Sequence, residues 1–125
     1  MVLMWTCVRG VRGIVCGNKI ITEHLSPDNM HKFIVFVRDC GATTGFSTQV
    51  SILRKGETLK DNDSGNVLIT SDRYYGDWHN QYGGAEVQIE WVSSNKVLIR
   101  FDVNAETPTK KDKVKGIEVA YDAIH

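Results

Sequence analysis

The chain has 125 residues, fifteen basic and fifteen acidic side chains, and a hydrophobic content of 42%. This length suits one domain with its own hydrophobic core, and the composition excludes a disordered or fibrous protein. The balanced charge provides no overall field for nucleic acid or an anionic membrane. We therefore predict a single β-rich domain over residues 1–125 that does not bind nucleic acid.

The N-terminal segment, residues 1–13, begins with an apolar run that is followed by Arg9 and Arg12. The run is too short for a signal-peptide core or a transmembrane helix, and no basic residue precedes it. We interpret the segment as atypical or as the remnant of a targeting segment, with a plain β-strand as the simplest alternative. Cys7 ends the run as a lipid-modified cysteine would, so a lipid anchor stays open. The sequence as written indicates a cytoplasmic protein without a transmembrane segment.

Apolar and polar residues alternate with a period close to two, which is typical of half-buried strands. In the most apolar strand, Phe33, Val35 and Val37 are predicted to face one way, and Ile34 and Phe36 the other. Strands are predicted at residues 19–24, 31–39, 47–52, 86–92, 96–103 and 117–122.

Turn signals separate these strands. Ser26-Pro27-Asp28-Asn29 suits a type I turn, and residues 93–95 suit a short hairpin. No segment has a helical period, which argues against a parallel sheet built from βαβ units. The predicted fold class is all-β: a single-domain antiparallel meander, as a twisted sheet, open barrel or sandwich with little helix. Residues 106–115, which include Pro108, are predicted to be a loop that could contain one helical turn.

The three cysteines cannot all pair within one chain. Cys16 and Cys40, at the edges of predicted strands, are the better pair. A bond between them would close a loop of about 25 residues and stabilise the fold by roughly 3 kcal/mol in an oxidising compartment. The alternative is two reduced thiols that pack as small hydrophobic groups. No cysteine or histidine spacing is typical of zinc sites, so neither a metal nor a cofactor is predicted.

Two connections are candidates for binding. Residues 72–85 concentrate aromatic side chains, which provide large contact areas at low entropy cost. The predicted partner-binding residues are Tyr74, Tyr75, Asp77, Trp78 and Tyr82. The alternative is that these rings fold back and cap an open end of the sheet.

The second candidate is a turn between Gly41 and Gly45, with hydroxyl groups that could bind a ligand. Its candidate residues are Thr43, Thr44 and Ser47. The alternative, which is the commoner use of such side chains, is that they satisfy the turn's own backbone. Another connection, residues 55–66, is predicted to be a solvated loop. Its Asp-Asn-Asp-Ser-Gly run lacks the closing glutamate of a calcium loop.

No catalytic motif surrounds the histidines. His24 and His31 flank the first turn, could face each other across the hairpin, and with a nearby acid could carry acid–base chemistry. The sequence contains no nucleophile elbow, phosphate loop or dinucleotide-binding motif. We therefore predict no catalytic residues and expect that the protein is not an enzyme.

Three sequence blocks resemble a family of small uncharacterised bacterial proteins, many of which begin with a lipoprotein or secretion signal. The blocks are Cys16-Gly17-Asn18-Lys19-Ile20-Ile21, Ser26-Pro27-Asp28-Asn29 and Asp39-Cys40-Gly41-Ala42-Thr43-Thr44-Gly45-Phe46-Ser47-Thr48-Gln49-Val50-Ser51-Ile52. The resemblance implies no catalytic residue. It does imply that Cys16 and Cys40 belong together and that the protein is periplasmic or in the cell envelope, although no recognisable signal precedes Cys16.

The sequence thus favours a non-catalytic binding protein, of the inhibitor or immunity type, that neutralises a protein partner through the aromatic loop. One alternative is a secreted or lipid-anchored envelope protein with a structural role. The other alternative is a small hydrolase or nuclease that uses His24 and His31.

Overall fold

The computed structural model describes residues 16–41 and 45–124, and within these ranges every regular element is a strand. The strands are β1 (Gly17–Leu25), β2 (His31–Asp39), β3 (Ser47–Arg54), β4 (Leu68–Ile69), β5 (Val87–Ser93), β6 (Lys96–Asp102), β7 (Thr109–Lys110), β8 (Lys113–Val114) and β9 (Ile117–Ile124). The predicted all-β, single-domain fold is therefore confirmed. Residues 1–13 and Cys7 lie outside the described ranges. No helix in the described part of the chain could span a membrane.

The strands form two sheets. One has the order β1-β2-β3-β4-β7, with antiparallel neighbours throughout. The other has the order β5-β6-β9-β8. In this second sheet β9 runs parallel to β6, while the remaining pairs are antiparallel. This parallel pair departs from a pure meander.

A crossover connects the two parallel strands, and it contains strands where a helix is usual. Residues 103–116 leave β6, form β7 in the first sheet, and return to the second sheet as β8. The helical turn considered for residues 106–115 is therefore wrong, because this segment pairs with both sheets. Lys110 on β7 lies 5.7 Å from the ring centre of Phe101 and 4.8 Å from that of Tyr121, which places a cation against aromatic rings of the second sheet.

One core lies between the sheets, and both sheets contribute alternate side chains to it. Its strand residues include Phe33, Val35, Val50, Ile52, Leu68, Val87, Val97, Ile99, Phe101, Ile117 and Val119. Strand β2 is more deeply buried than a half-buried strand, since every residue from Phe33 to Val37 is buried. The interpretation of this strand as half-buried is therefore wrong, because Ile34 and Phe36 on its second face are buried as well.

The predicted turn between β1 and β2 forms. The backbone N–H of Asn29 donates to the Ser26 carbonyl oxygen at 2.8 Å, and the Ser26 N–H donates to the His31 carbonyl oxygen at 2.8 Å. The Ser26 hydroxyl and the Met30 N–H both donate to Asp28, at 2.6 and 3.1 Å. These two donors, the serine hydroxyl first, lower the pKa of Asp28.

Loop 55–66 is fastened to the first sheet by Arg38. One guanidinium nitrogen, Nη1, donates to the carbonyl oxygens of Asp61 and Asp63 at 2.9 and 2.8 Å, and to Asn18 Oδ1 at 2.9 Å. Asn18 Nδ2 donates to the carbonyl oxygens of Lys60 and Asp63 at 2.7 and 2.8 Å. The loop is therefore at the surface, as predicted, but held against β1 and β2.

We expect Arg38→Met to lower the free energy of unfolding by about 1–2 kcal/mol, because the loop carbonyls lose their charged donor. Urea unfolding followed by circular dichroism measures this loss. Arg54→Met is the matched control, since Arg54 is exposed on β3 and its guanidinium makes no hydrogen bond to the described residues. An equal loss of stability in both variants would contradict the role assigned to Arg38.

Candidate functional site

The aromatic loop, residues 72–85, has a defined shape because Asn80 satisfies its backbone. Asn80 Oδ1 accepts hydrogen bonds from the N–H groups of Tyr82 and Gly84, at 2.9 and 3.3 Å. Asn80 Nδ2 donates to the hydroxyl of Thr48 on β3 at 3.0 Å, and that hydroxyl donates to the Ala85 carbonyl oxygen at 2.6 Å. The second half of the loop is therefore attached to the first sheet.

Tyr74 attaches the first half of the loop to the second sheet. Its hydroxyl donates to the carboxylate of Asp102, a buried residue at the end of β6, and accepts from the Trp78 N–H at 3.1 Å. Asp102 also accepts from the Asn104 N–H at 2.9 Å. Burial, and then the hydrogen bond to Asp102, raise the pKa of Tyr74. Tyr74 is therefore a neutral donor at physiological pH and belongs to the framework of the loop.

Tyr75, in contrast, is the most exposed large hydrophobic side chain of the described residues, at 89%. It lines two pockets. The acidic pocket, of about 530 Å³, is lined by Tyr75, Gly76, Asp77, Trp78, Asp102, Asn104 and Ile124. The mixed pocket, of about 540 Å³, is lined by Arg73, Tyr75, Gly76, Asn104 and Glu106. Tyr75 is thus an exposed ring shared by two concave surfaces, together with Gly76 and Asn104.

Gly76 permits this arrangement. The chain passes so close to the Tyr74 side chain that a Cβ at Gly76 would collide with the Tyr74 hydroxyl and ring. Because Gly76 has no side chain, Tyr74 can reach inward while Tyr75 and Trp78 line the same pocket. The two interpretations of the aromatic loop, capping and display, therefore apply to different residues. Tyr74 caps the end of the sheets, and Tyr75 is displayed to solvent.

The structure brings three of the five predicted partner-binding residues together around the acidic pocket: Tyr75, Asp77 and Trp78. Tyr74 lies behind them. Tyr82 lies apart, with its ring centre 5.5 Å from the Lys19 ammonium on β1. Asp102, Asn104 and Ile124 were not predicted to be in the site. Their positions depend on the pairing of β6 with β9, which local sequence patterns do not specify.

The predicted threonine turn is only partly described, because Thr43 and Thr44 lie outside the described residues. Ser47 is half-buried, and its hydroxyl donates to the Thr70 carbonyl oxygen at 2.6 Å. It also accepts from Gln49 Nε2 at 3.0 Å. The Ser47 hydroxyl is therefore used inside the fold.

Cys16 and Cys40 meet at the end of the first sheet where β1 begins and β2 ends. Their sulfur atoms are 2.04 Å apart, the separation of a disulfide bond, immediately beyond the Gly17–Asp39 pair that ends the pairing of β1 and β2. The predicted pairing of these two cysteines is compatible with this geometry.

His24 and His31 do not face each other. His24 lies opposite Phe33, with ring centres 5.5 Å apart, whereas His31 lies opposite Arg54 on β3. The hairpin register explains this result, because the last pair of β1 and β2 is Leu25 with Lys32, and His31 extends beyond it. The facing arrangement considered from the sequence is therefore wrong.

Comparison with protein-family models, curated proteins and solved structures finds no match for this chain. The resemblance to small bacterial proteins stays a prediction.

We expect Tyr74→Phe to lower the free energy of unfolding by about 1–3 kcal/mol near pH 7, because buried Asp102 loses a donor. Tyr75→Phe is the matched control and should change stability by less than about 0.5 kcal/mol, since its ring is exposed. Urea unfolding of both variants measures the difference. Equal stability of Tyr74→Phe and the unmodified chain would contradict the role of Tyr74.

The stabilisation from Tyr74 should also depend on pH. Because its pKa is raised above the ordinary value of 10.0, the folded chain binds the phenolic proton more tightly than the unfolded chain. This stabilisation is complete below about pH 10 and declines as the pH rises through the folded-state pKa. The stability difference between the unmodified chain and Tyr74→Phe should therefore become smaller as the pH rises above about 10. Tyr121, whose pKa burial also raises, is present in both proteins and cancels.

Proposed function

We propose that the chain is a non-catalytic protein-binding domain, of the inhibitor or immunity type, whose partner contacts the aromatic loop at Tyr75. The observation that carries this proposal is the 89% exposed ring of Tyr75, which lines two pockets of about 530 and 540 Å³. Tyrosine and tryptophan are enriched among the residues that dominate binding energy in protein interfaces. Aromatic rings also lose little conformational entropy on binding.

The internal bonds of the loop support the proposal. Tyr74, Asn80 and Thr48 hold the loop backbone through hydrogen bonds to both sheets. A preformed surface loses less conformational entropy on association than a mobile loop, so more of the contact energy appears as affinity. An inhibitor or immunity-type protein acts by occupying its target, which requires such a surface and no chemistry of its own.

The proposal predicts that the partner depends on Tyr75. A photo-crosslinking amino acid at position 75 should capture a protein from the source cells, which is then purified and titrated against the unmodified chain by calorimetry. Tyr75→Ala should weaken that binding by about tenfold or more, as expected for a central aromatic contact.

The matched control is Met30→Ala. Met30 is 62% exposed on the turn between β1 and β2. This turn lies at the end of β2 away from the aromatic loop, and β2 is roughly 26 Å long. Its substitution should change the affinity by less than about twofold, because it lies away from the interface. Unchanged binding by Tyr75→Ala, or a larger loss in Met30→Ala, would overturn the proposal.

A second candidate function is that of a secreted or envelope protein, and the geometry of Cys16 and Cys40 favours it. Disulfide bonds persist in oxidising compartments and are rare in the cytosol. Cys16 and Cys40 lie side by side, immediately beyond the Gly17–Asp39 pair, where such a bond can form. This candidate concerns where the domain works, and a binding domain in the cell envelope would satisfy both proposals.

We expect Cys16 and Cys40 to be linked when the protein is isolated from its own cells. Peptide mapping after alkylation without reductant should recover the two cysteines in one linked peptide, and alkylation of both should require reduction. Reduction should also destabilise the fold by about 2–4 kcal/mol in urea. Alkylation of both thiols before reduction would remove the argument for an oxidising compartment.

A further inference from the structure

We infer that the acidic pocket binds a cationic group, the guanidinium or ammonium of a basic side chain on the partner that Tyr75 contacts. The inference rests on the proposed function and specifies the chemistry of that partner. It follows from the side chains that line the pocket beside Gly76 and Asn104. They are two aromatic residues, two carboxylates and one aliphatic side chain: Tyr75, Trp78, Asp77, Asp102 and Ile124.

The charge of the pocket favours a cation. Among the described residues that line it, none is basic. Asp102 is buried and already accepts hydrogen bonds from Tyr74 and Asn104, so its charge is fixed within the wall. Asp77 is exposed and makes no hydrogen bond or ion pair to the described residues. Its carboxylate is therefore available to a ligand beside the field of Asp102.

The aromatic residues favour the same kind of ligand. Tyrosine and tryptophan rings attract cations through the negative potential of their faces, and tryptophan is the strongest of the aromatic side chains in this respect. Tyr75 and Trp78 both line the pocket, together with the Ile124 side chain, which could contact the aliphatic part of a lysine or arginine. An anionic or purely apolar ligand would leave Asp77 without a partner.

The mixed pocket, which Tyr75 also lines, differs in this respect. It is lined by one acidic and one basic side chain, Glu106 and Arg73, so their charges balance. The preference for a cation is consequently a property of the acidic pocket and not of the whole loop. A partner that straddles Tyr75 would place its basic side chain on the Trp78 side.

Two-dimensional NMR with n-butylguanidinium chloride as the probe tests the inference. The Trp78 indole N–H signal, assigned with Trp78→Phe, should shift saturably with the probe, and should not do so with n-butanol or with sodium chloride at the same concentration. Asp77→Asn should weaken probe binding about threefold, as expected for one exposed charge pair. Asp112→Asn, an exposed acid outside the pocket, is the matched control and should bind as tightly as the unmodified chain.

Equal shifts with butanol and butylguanidinium, or unchanged probe binding in Asp77→Asn, would overturn the inference. A competition experiment separates the two sources of a cation. If butylguanidinium displaces the captured partner, the cation is a side chain of that partner. If tetramethylammonium binds more tightly and neither cation displaces the partner, the pocket serves a free quaternary ammonium ligand and the assignment to the partner is wrong.

The same measurements separate this inference from the proposed function. A partner that depends on Tyr75 but is insensitive to Asp77→Asn leaves the proposed function intact and overturns the cationic pocket. Probe binding that depends on Asp77, without any partner that depends on Tyr75, overturns the proposed function and again assigns the pocket to a free cation.

Discussion

The hydrogen bond from Tyr74 to the buried carboxylate of Asp102 determines what the aromatic loop can present to solvent. A buried carboxylate is costly without donors, and the Tyr74 hydroxyl and the Asn104 N–H both donate to Asp102. This bond holds Tyr74 inward, whereas the neighbouring Tyr75 is 89% exposed. The two adjacent tyrosines therefore have different roles: Tyr74 belongs to the framework of the loop and Tyr75 to its surface.

Asp102 occupies its position because of the crossover that follows it. Residues 103–116 leave β6, contribute β7 to the first sheet, and return as β8 before β9 pairs in parallel with β6. The Ser71 N–H donates to the Glu106 carbonyl oxygen at 2.8 Å, so the start of the crossover also contacts the segment that leads into the aromatic loop. The ends of both sheets thus converge on the loop. Neither sheet alone would place the acidic pocket beside Tyr75.

Local patterns in the sequence predict much of this fold, and their failures share a cause. Alternation located the main strands, and Pro27 with Asp28 located the first turn, because both signals depend on neighbouring residues. The run from Phe33 to Val37 is continuously apolar, which is typical of a strand buried on both faces, and alternation alone could not reveal it. The parallel direction of β9, and the division between an inward Tyr74 and an outward Tyr75, depend on residues far away in sequence.

Several contacts hold the end of the first sheet to which the aromatic loop is attached. The neighbouring sulfurs of Cys16 and Cys40, the bonds of Arg38 to loop 55–66 and the contact of Thr48 with Asn80 all lie there. Loops at the end of a sheet are ordinarily the first parts of a domain to open. These contacts counteract that tendency. Such reinforcement is expected where affinity depends on a surface that is ordered before its ligand arrives, because ordering on binding would reduce the affinity.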